Sequence, residues 1–206
     1  MKSSVEYLEY IVNEIHTTVV ATVDENGLPV TCVIDMMYCD EKGLYFLTAK
    51  GKNFYHRLKS KEYLSLSCFK GDDTIHSIAV SVRGKVREIG SEMLSVLFEH
   101  NPYMNEIYPT EQSRQALTVF CIYEGNGEWF DLSKKPIERD SFTFGKTTEI
   151  QNGYYVDESC IACGACLDVC PQNCIDISDK AVIRANNCLH CGNCMKVCPV
   201  NAVKKR

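Results

Sequence analysis

The sequence predicts a mainly antiparallel β barrel with flanking helices, joined to a small C-terminal α+β domain organised by cysteine. Three observations lead there. Short runs rich in β-branched, aliphatic and aromatic residues, separated by Gly/Asn/Asp clusters, recur between residues 17 and 132, as in strands joined by tight turns. Cysteine is concentrated further on, where the pattern C-x2-C-x2-C-x3-C-P occurs twice between Cys160 and Pro199. The length of 206 residues, with 45% hydrophobic side chains, accommodates one mid-sized domain and one small one. The expected division is a barrel over 1–132, a connecting segment over 133–153 and a cysteine-rich domain over 154–206.

The chain opens on a helix. Ser3-Ser4-Val5-Glu6 reads as a capping box, and Val5, Leu8, Ile11, Val12 and Ile15 then share one face. Strands over Thr17–Val23, 30–38 and 44–48 follow, joined by the turns Asp24-Glu25-Asn26-Gly27 and Asp40-Glu41-Lys42-Gly43. A short helix over 53–58 leads to a strand over 64–69, a long β-rich stretch over 75–89 and a helix over 92–100 ahead of Pro102 and Pro109. The sheet resumes over 116–123; Gly125-Asn126-Gly127 reads as a turn, and 129–132 as the strand after it. Six or seven such strands are expected to close, since closure removes exposed edges. In the connecting segment, Phe142 and Phe144 are too apolar for a free linker and are expected to dock on the barrel.

In the cysteine repeats, three thiolates at two-residue spacing can wrap one corner of an iron–sulfur cubane. The fourth, thrown past a turn and followed by proline, points away and serves the other cluster. This assigns one [4Fe–4S] cluster to Cys160, Cys163, Cys166 and Cys198, and the other to Cys188, Cys191, Cys194 and Cys170. Structural zinc uses two cysteine pairs and has no need of the third and fourth positions, and a disulfide framework suits a secreted chain. The segment resembles a bacterial two-cluster ferredoxin over the last quarter of the chain. Cys188 lies 28 residues after Cys160, and superposing the repeats aligns Cys174 with Ala202, so Cys174 reads as a packing residue and not a ligand. Gly164 aligns with Gly192 where backbone passes close to a cluster, and Ile161 with Leu189 as apolar cover. His190 aligns with Ala162; a solvated surface histidine is the stronger reading, tuning of the second cluster's potential the other.

The formal charge is −5 and the one basic run is Lys204-Lys205-Arg206, so the sequence carries no nucleic-acid footprint. No apolar run approaches the ~20 residues of a membrane span, and the opening residues lack a signal-peptide core. A cytoplasmic protein without membrane contact is expected. Thirteen cysteines, eight assigned to clusters, point to a reducing compartment in an oxygen-poor cell, with Cys32, Cys39, Cys68 and Cys121 as buried free thiols.

The other informative stretch is Leu44-Tyr-Phe-Leu-Thr-Ala-Lys-Gly-Lys-Asn53, where a strand ends in hydroxyl, cation, glycine and cation before a helix opens. Helix N-terminal N–H groups with two lysines suit a phosphate, although residue chemistry alone favours a solvated basic turn. It is not a Walker A loop. The order Thr-Val-Val-Ala-Thr-Val, an acidic Gly-x-Pro turn, a strand, Gly-Leu-Tyr-Phe-Leu-Thr-x-Lys-Gly-Lys, a short helix and Leu-Ser-Leu-Ser-Cys-Phe resembles the FMN-binding split barrels related to pyridoxamine 5'-phosphate oxidase. The resemblance covers residues 1 to 132 and implies a homodimer with FMN at the subunit interface. Carried over by position, it implies that Thr48, Lys50, Lys52 and Asn53 hold the phosphate and ribityl end. Backbone of Val30, Thr31, Cys32, Val33 and Ile34 would line the isoalloxazine, with Ser65 or Ser67 in reach. Trp129 is either a stacking residue near the cofactor or a core aromatic. The Arg-Leu-x-Pro-like ending of the vitamin B6 enzyme has no match in Phe130-Asp-Leu-Ser-Lys-Lys-Pro-Ile137, so pyridoxamine phosphate is not the expected substrate.

Together the two resemblances imply an FMN- and iron–sulfur-dependent oxidoreductase relaying electrons between two [4Fe–4S] clusters, FMN and a small-molecule substrate such as a flavin, quinone or nitro compound. The external donor or acceptor would be ferredoxin or NAD(P)H, although no G-x-G-x-x-G nicotinamide domain is present. A non-catalytic electron-transfer flavo-ferredoxin and a redox sensor are the alternatives; the sensor lacks a recognisable output domain.

Overall fold

The computed structural model describes residues 2–148 and 152–206, and these form two compact units. The first comprises 2–70, 79–128 and 142–148; the second comprises 71–78, 129–141 and 152–206.

The first unit begins with α1 (Ser4–Tyr10), closed by the expected capping box: Ser3 Oγ accepts from the Glu6 N–H and the Ser3 N–H donates to the Glu6 carboxylate. A turn of π-helix, Ile11–Ile15, continues it and ends at His16, held at φ 65°. Strands β1 (Thr17–Val23), β2 (Pro29–Asp35), β3 (Tyr38–Asp40) and β4 (Gly43–Ala49) follow, then α2 (Asn53–Lys61), β5 (Tyr63–Lys70) and β6 (Ile78–Gly90). Short helices α3 (Leu94–His100), α4 (Met104–Ile107) and α5 (Glu111–Arg114) precede β7 (Leu117–Asp131) and β8 (Glu138–Phe144).

The strand order is β2-β1-β5-β6-β7-β4-β3, with β8 on β7. Laid flat, the seven strands in that path would separate β2 from β3 by about 29 Å, at roughly 4.8 Å per step. Yet β2 ends at Asp35 and β3 begins at Tyr38, a reach of about 10 Å at most. The sheet must therefore curl, and the result is a barrel split beside β2 and β3. Its interior is filled by Val20, Leu44, Phe46, Leu64, Leu66, Val80, Val82, Phe120 and Ile122, all buried, with the Phe46 and Phe120 rings stacked 5.8 Å apart. The other face of β4 and β7 is also covered: Tyr45, Val119 and Cys121 pack with Met37, Leu97, Phe98 and Met104. This double burial explains the near-continuous apolar run at the start of β7, where one-sided strands such as β5 alternate.

The Gly125-Asn126-Gly127 turn expected from sequence is absent, because β7 runs straight through it. These glycines serve close approach. A Cβ on Gly125 would stand 2.5 Å from the Arg83 carbonyl oxygen, and one on Gly127 would stand 2.3 Å from the Phe142 ring. Phe142 belongs to β8, is buried, and stacks on Tyr7 at 4.6 Å, while Ser4 Oγ donates to the Thr143 carbonyl at 2.6 Å. The two aromatics of the connecting segment thus sit in a strand that closes over α1.

The second unit holds two small antiparallel ladders, β9 (Tyr154–Val156) with β12 (Val203–Lys205) and β10 (Ile175–Ile177) with β11 (Ala181–Ile183). Between them lie α6 (Ala165–Asp168) and α7 (Asn193–Val197), which contact each other. Residues 129–141 are part of this unit: Ile137 donates its N–H to Gln172 Oε1 at 3.1 Å and accepts at its carbonyl from Asn187 at 2.8 Å. Among the described residues, no helix is long and apolar enough to cross a membrane.

Candidate functional site: two cysteine cavities and a basic helix terminus

The cysteine repeats fold with matched backbone. Ala162 and His190 stand at φ 52° and 56°, Gly164 and Gly192 at 82° and 78°, and Asn173 and Asn201 at 49° and 53°. Each pair is separated by the same 28-residue step, so the repeat visible in sequence is also a repeat of left-handed turns. Those turns bend the chain around two cavities. One is lined by Cys160, Cys163, Cys166 and Cys198 with Ile161, Ala181 and Val203. The other is lined by Cys170, Cys188, Cys191 and Cys194 with Cys174, Leu189 and Ile183. Each cavity draws three motif cysteines from one repeat and the fourth from the other.

The fourth cysteines sit in nests of backbone N–H groups. Cys198 Sγ accepts from the Ala202 N–H at 3.1 Å, and Cys170 Sγ from the Cys174 N–H at 3.5 Å. Burial pushes the Cys198 thiol up, but the N–H groups of Val203, Ala202, Val200 and Asn201 together hold it below the usual range. Cys170 shows the same balance, with burial opposed by N–H groups of Cys174, Gln172 and Asn173 and by the Cys174 side chain. Cys166 and Cys194 are pushed up, first by burial and then by the other cysteines around their cavities. Four converging sulfurs in an apolar pocket repel one another as thiolates, and a cationic iron core removes that conflict.

Cys174 is buried among Ile175, Ala181 and Val203, as its alignment with the buried Ala202 implies, and its Sγ stands 3.4 Å from Cys170 Sγ. His190 differs from the expected solvated side chain. It is half-buried, with its ring edge-on to Tyr154 at 6.3 Å, in space that a Cβ on Gly153 would contest at 2.8 Å.

In the barrel, Lys52 caps α2 with extended backbone and no side-chain cap, leaving first-turn N–H groups for another acceptor. Lys50, Lys52 and Asn53 are all exposed there. One turn on, Arg57 Nε donates to Thr22 Oγ1 at 2.8 Å. Burial pushes the Cys32 thiol up while the charges of Arg57 and Lys52 pull it down, which places this basic end beside the middle of β2. An adjacent cavity is lined by Val23, Asp24, Glu25, Asn53, His56, Arg57 and Ser60. Thr48 is buried, and its Oγ1 finds no hydrogen-bond partner among the described residues.

Along β2, Thr31 and Val33 are exposed while Val30, Cys32 and Ile34 are half-buried. The register sets Thr31 opposite Ala21 and Ser65 across β1, and Val33 opposite Val19 and Ser67. Ser65 and Ser67 therefore share an outward face with Thr31 and Val33, on which Val33 is 65% and Val19 49% exposed. Trp129 is buried and belongs to the second unit.

Sequence reasoning did not single out Arg57 and His56, although Asn53, His56, Arg57 and Ser60 fall at i, i+3, i+4 and i+7 and share a helix face. It also missed a polar cluster at the end of β2. Tyr103 O–H donates to Asp35 Oδ2 at 2.9 Å, Thr17 Oγ1 donates to Asp35 Oδ1 at 2.8 Å, and His16 Nε2 lies 3.0 Å from the Tyr103 hydroxyl. No local pattern announces contacts across so long a sequence separation.

Comparison with known proteins matches two stretches of the sequence to two families. The profile described as pyridoxamine 5'-phosphate oxidase matches residues 5–123, and that of a 4Fe-4S dicluster domain matches residues 159–202. A search of curated protein sequences finds no match. Among solved structures, a NimC/NimA family protein from Clostridium acetobutylicum superposes with a TM-score of 0.56 at 16% identity, covering 68% of this chain and 90% of its own. A heme binding protein from Mycobacterium smegmatis gives 0.54 at 13% identity, covering 69% and 59%. A Clostridium acetobutylicum protein related to general stress protein 26 of B. subtilis gives 0.52 at 17% identity, covering 67% and 94%. At these identities the likeness is one of fold. With its split barrel and its C-terminal two-cluster [4Fe–4S] domain, the chain belongs to the pyridoxamine 5'-phosphate oxidase family.

Proposed function

We propose that the protein is an FMN- and iron–sulfur-dependent oxidoreductase that relays electrons between two [4Fe–4S] clusters and FMN, and thereby reduces or oxidises a small substrate. The observation that carries this reading is the union, in one chain, of a split barrel of this family with two four-cysteine cavities. When bound, FMN accepts two electrons together and releases them singly, whereas each cluster moves one.

The residues present fit both groups. Cys160, Cys163, Cys166 and Cys198 would hold one cluster as thiolates, and Cys188, Cys191, Cys194 and Cys170 the other. The N–H nests around Cys198 and Cys170 stabilise the charged sulfur that ligation needs. The open N-terminus of α2, with Lys50, Lys52, Asn53 and Arg57, offers backbone donors and positive charge to a phosphate. The unpaired Thr48 hydroxyl is a further donor in want of an acceptor. Backbone from Val30 to Ile34 would line the ring, and the outward face carrying Val19, Val33, Ser65 and Ser67 would be covered by a second copy in a homodimer. A reducing, oxygen-poor cytoplasm suits such thiolate chemistry.

The test is anaerobic reconstitution followed by titration with NAD(P)H or with reduced ferredoxin. The expected result is bound FMN with about eight irons per chain. Flavin bleaching by NAD(P)H would mark the barrel as the entry port; reduction by ferredoxin alone would mark the clusters. Failure to retain FMN in excess flavin would overturn the reading. Turnover of a quinone or nitro compound separates an enzyme from a carrier that exchanges electrons only with proteins.

A further inference from the structure

The two cysteine repeats match so closely in backbone that their differences stand out, and one lies against a motif cysteine. After each fourth cysteine the chain makes the same turn, with Asn173 and Asn201 both left-handed, and the next residue gives its N–H to the cysteine sulfur. In the first repeat that residue is Cys174; in the second it is Ala202. Both are buried, at 1% and 0% exposure, so neither side chain exchanges its contacts for water. Ala202 has nothing further to give. Cys174 carries a thiol 3.4 Å from Cys170 Sγ, within reach also of Cys188, and both neighbours line the same cavity.

Between two sulfurs at that distance, one must donate. A cysteine bound to iron is a thiolate and can only accept, so the proton belongs to Cys174. A donor aimed at a cluster thiolate interacts more strongly with the more negative, reduced cluster, and so favours the arrival of an electron.

Resting on the cluster assignment made above, we infer that Cys174 donates its S–H to the thiolates of the second cluster and raises that cluster's reduction potential relative to the first. The electron that enters the pair then rests on the cluster held by Cys170, Cys188, Cys191 and Cys194. The step is a one-electron reduction by an external reductant, with no bond made to Cys174 and no proton transferred. Cys174 is a positioning residue for charge and not a ligand.

The experiment is redox potentiometry of the reconstituted full-length protein, with dithionite as reductant and EPR of the two reduced clusters as readout. All variants are measured at one fixed pH, so that His190 contributes equally. Cys174→Ala is expected to retain about eight irons per chain and to shift the electron distribution away from the second cluster by roughly tenfold, equivalent to 59 mV for a one-electron couple. Cys174→Ser, which keeps a donor, should hold the wild-type distribution or exceed it. Ala202→Cys, which installs the same donor in the other repeat, should shift electrons toward the first cluster. An unchanged distribution in Cys174→Ala, or a fall in Cys174→Ser equal to that in Cys174→Ala, would overturn the inference by making the residue mere packing. A wild-type protein that binds no clusters would instead bring down the assignment on which it rests.

Discussion

The two units of this chain encode their sites differently. In the cysteine-rich unit the chemistry is written in residue identity: ligation needs sulfur, and the spacing that lets three sulfurs converge can be read from the sequence. In the barrel, the features that fit a cofactor are mostly backbone and placement: an uncapped helix end, an outward strand face, and an arginine brought beside β2 by the fold. Side-chain alphabets reveal the first kind of site, and only three-dimensional placement reveals the second.

The sharpest break of that comparison is in ligation. Cys198→Ala lies in the second motif, yet it should cost the first cluster, and Cys170→Ala should cost the second. Iron should fall from about eight to about four per chain in each, with complementary EPR losses. If Cys198→Ala removed the cluster of its own motif, the crossed arrangement would be wrong.

Next come the glycines that sequence reads as a turn. Gly127→Ala places a methyl against the Phe142 ring and should lower barrel stability by about 1–3 kcal/mol in denaturant unfolding. A true turn would tolerate it. Removing the basic group beside β2 tests placement: Arg57→Ala should weaken FMN binding by roughly ten- to a hundredfold, read by flavin fluorescence, since charge-assisted hydrogen bonds are worth about 1.5–3 kcal/mol. Unchanged affinity would move the phosphate elsewhere.

The smallest effect concerns acid stability. Glu88 accepts from Thr118 Oγ1 at 2.7 Å, Lys59 Nζ at 3.0 Å and the Tyr55 hydroxyl at 3.3 Å. Burial pushes its carboxyl up, but Thr118, Lys59 and Tyr55 outweigh it and hold the group below its ordinary 4.5. A carboxyl lowered on folding stabilises the native state above pH 4.5 and loses that contribution as pH falls through its folded value. Glu88→Gln should therefore destabilise the protein near neutrality and flatten the acid limb of its stability curve. A variant with the wild-type acid limb would show that this network carries no pH dependence.

Legibility followed the same line. The capping box at Ser3 and Glu6, the strand Thr17–Val23 and the strand–turn–helix around Lys52 are local, and each was readable from propensity and pattern. Gly125-Asn126-Gly127 was misread because glycine marks both turns and close contacts, and only the proximity of Arg83 and Phe142 distinguishes them. His16, Asp35 and Tyr103 were invisible because their bonding depends on where a strand end meets the segment after α3. His190 reads as solvated in the sequence because its cover comes from Tyr154 and Gly153, which no spacing rule connects to it.

The proposed relay joins flavin and clusters within one chain. Its most direct test is an anaerobic titration of the fully loaded protein with a one-electron reductant added in fractional equivalents, following flavin absorbance and cluster EPR on the same samples. Electrons are expected to distribute over both kinds of cofactor, and a protein pre-reduced at its clusters to bleach its own flavin at a rate independent of protein concentration. Clusters that stay reduced beside an oxidised flavin of higher potential, or bleaching that rises with protein concentration, would contradict an intramolecular relay.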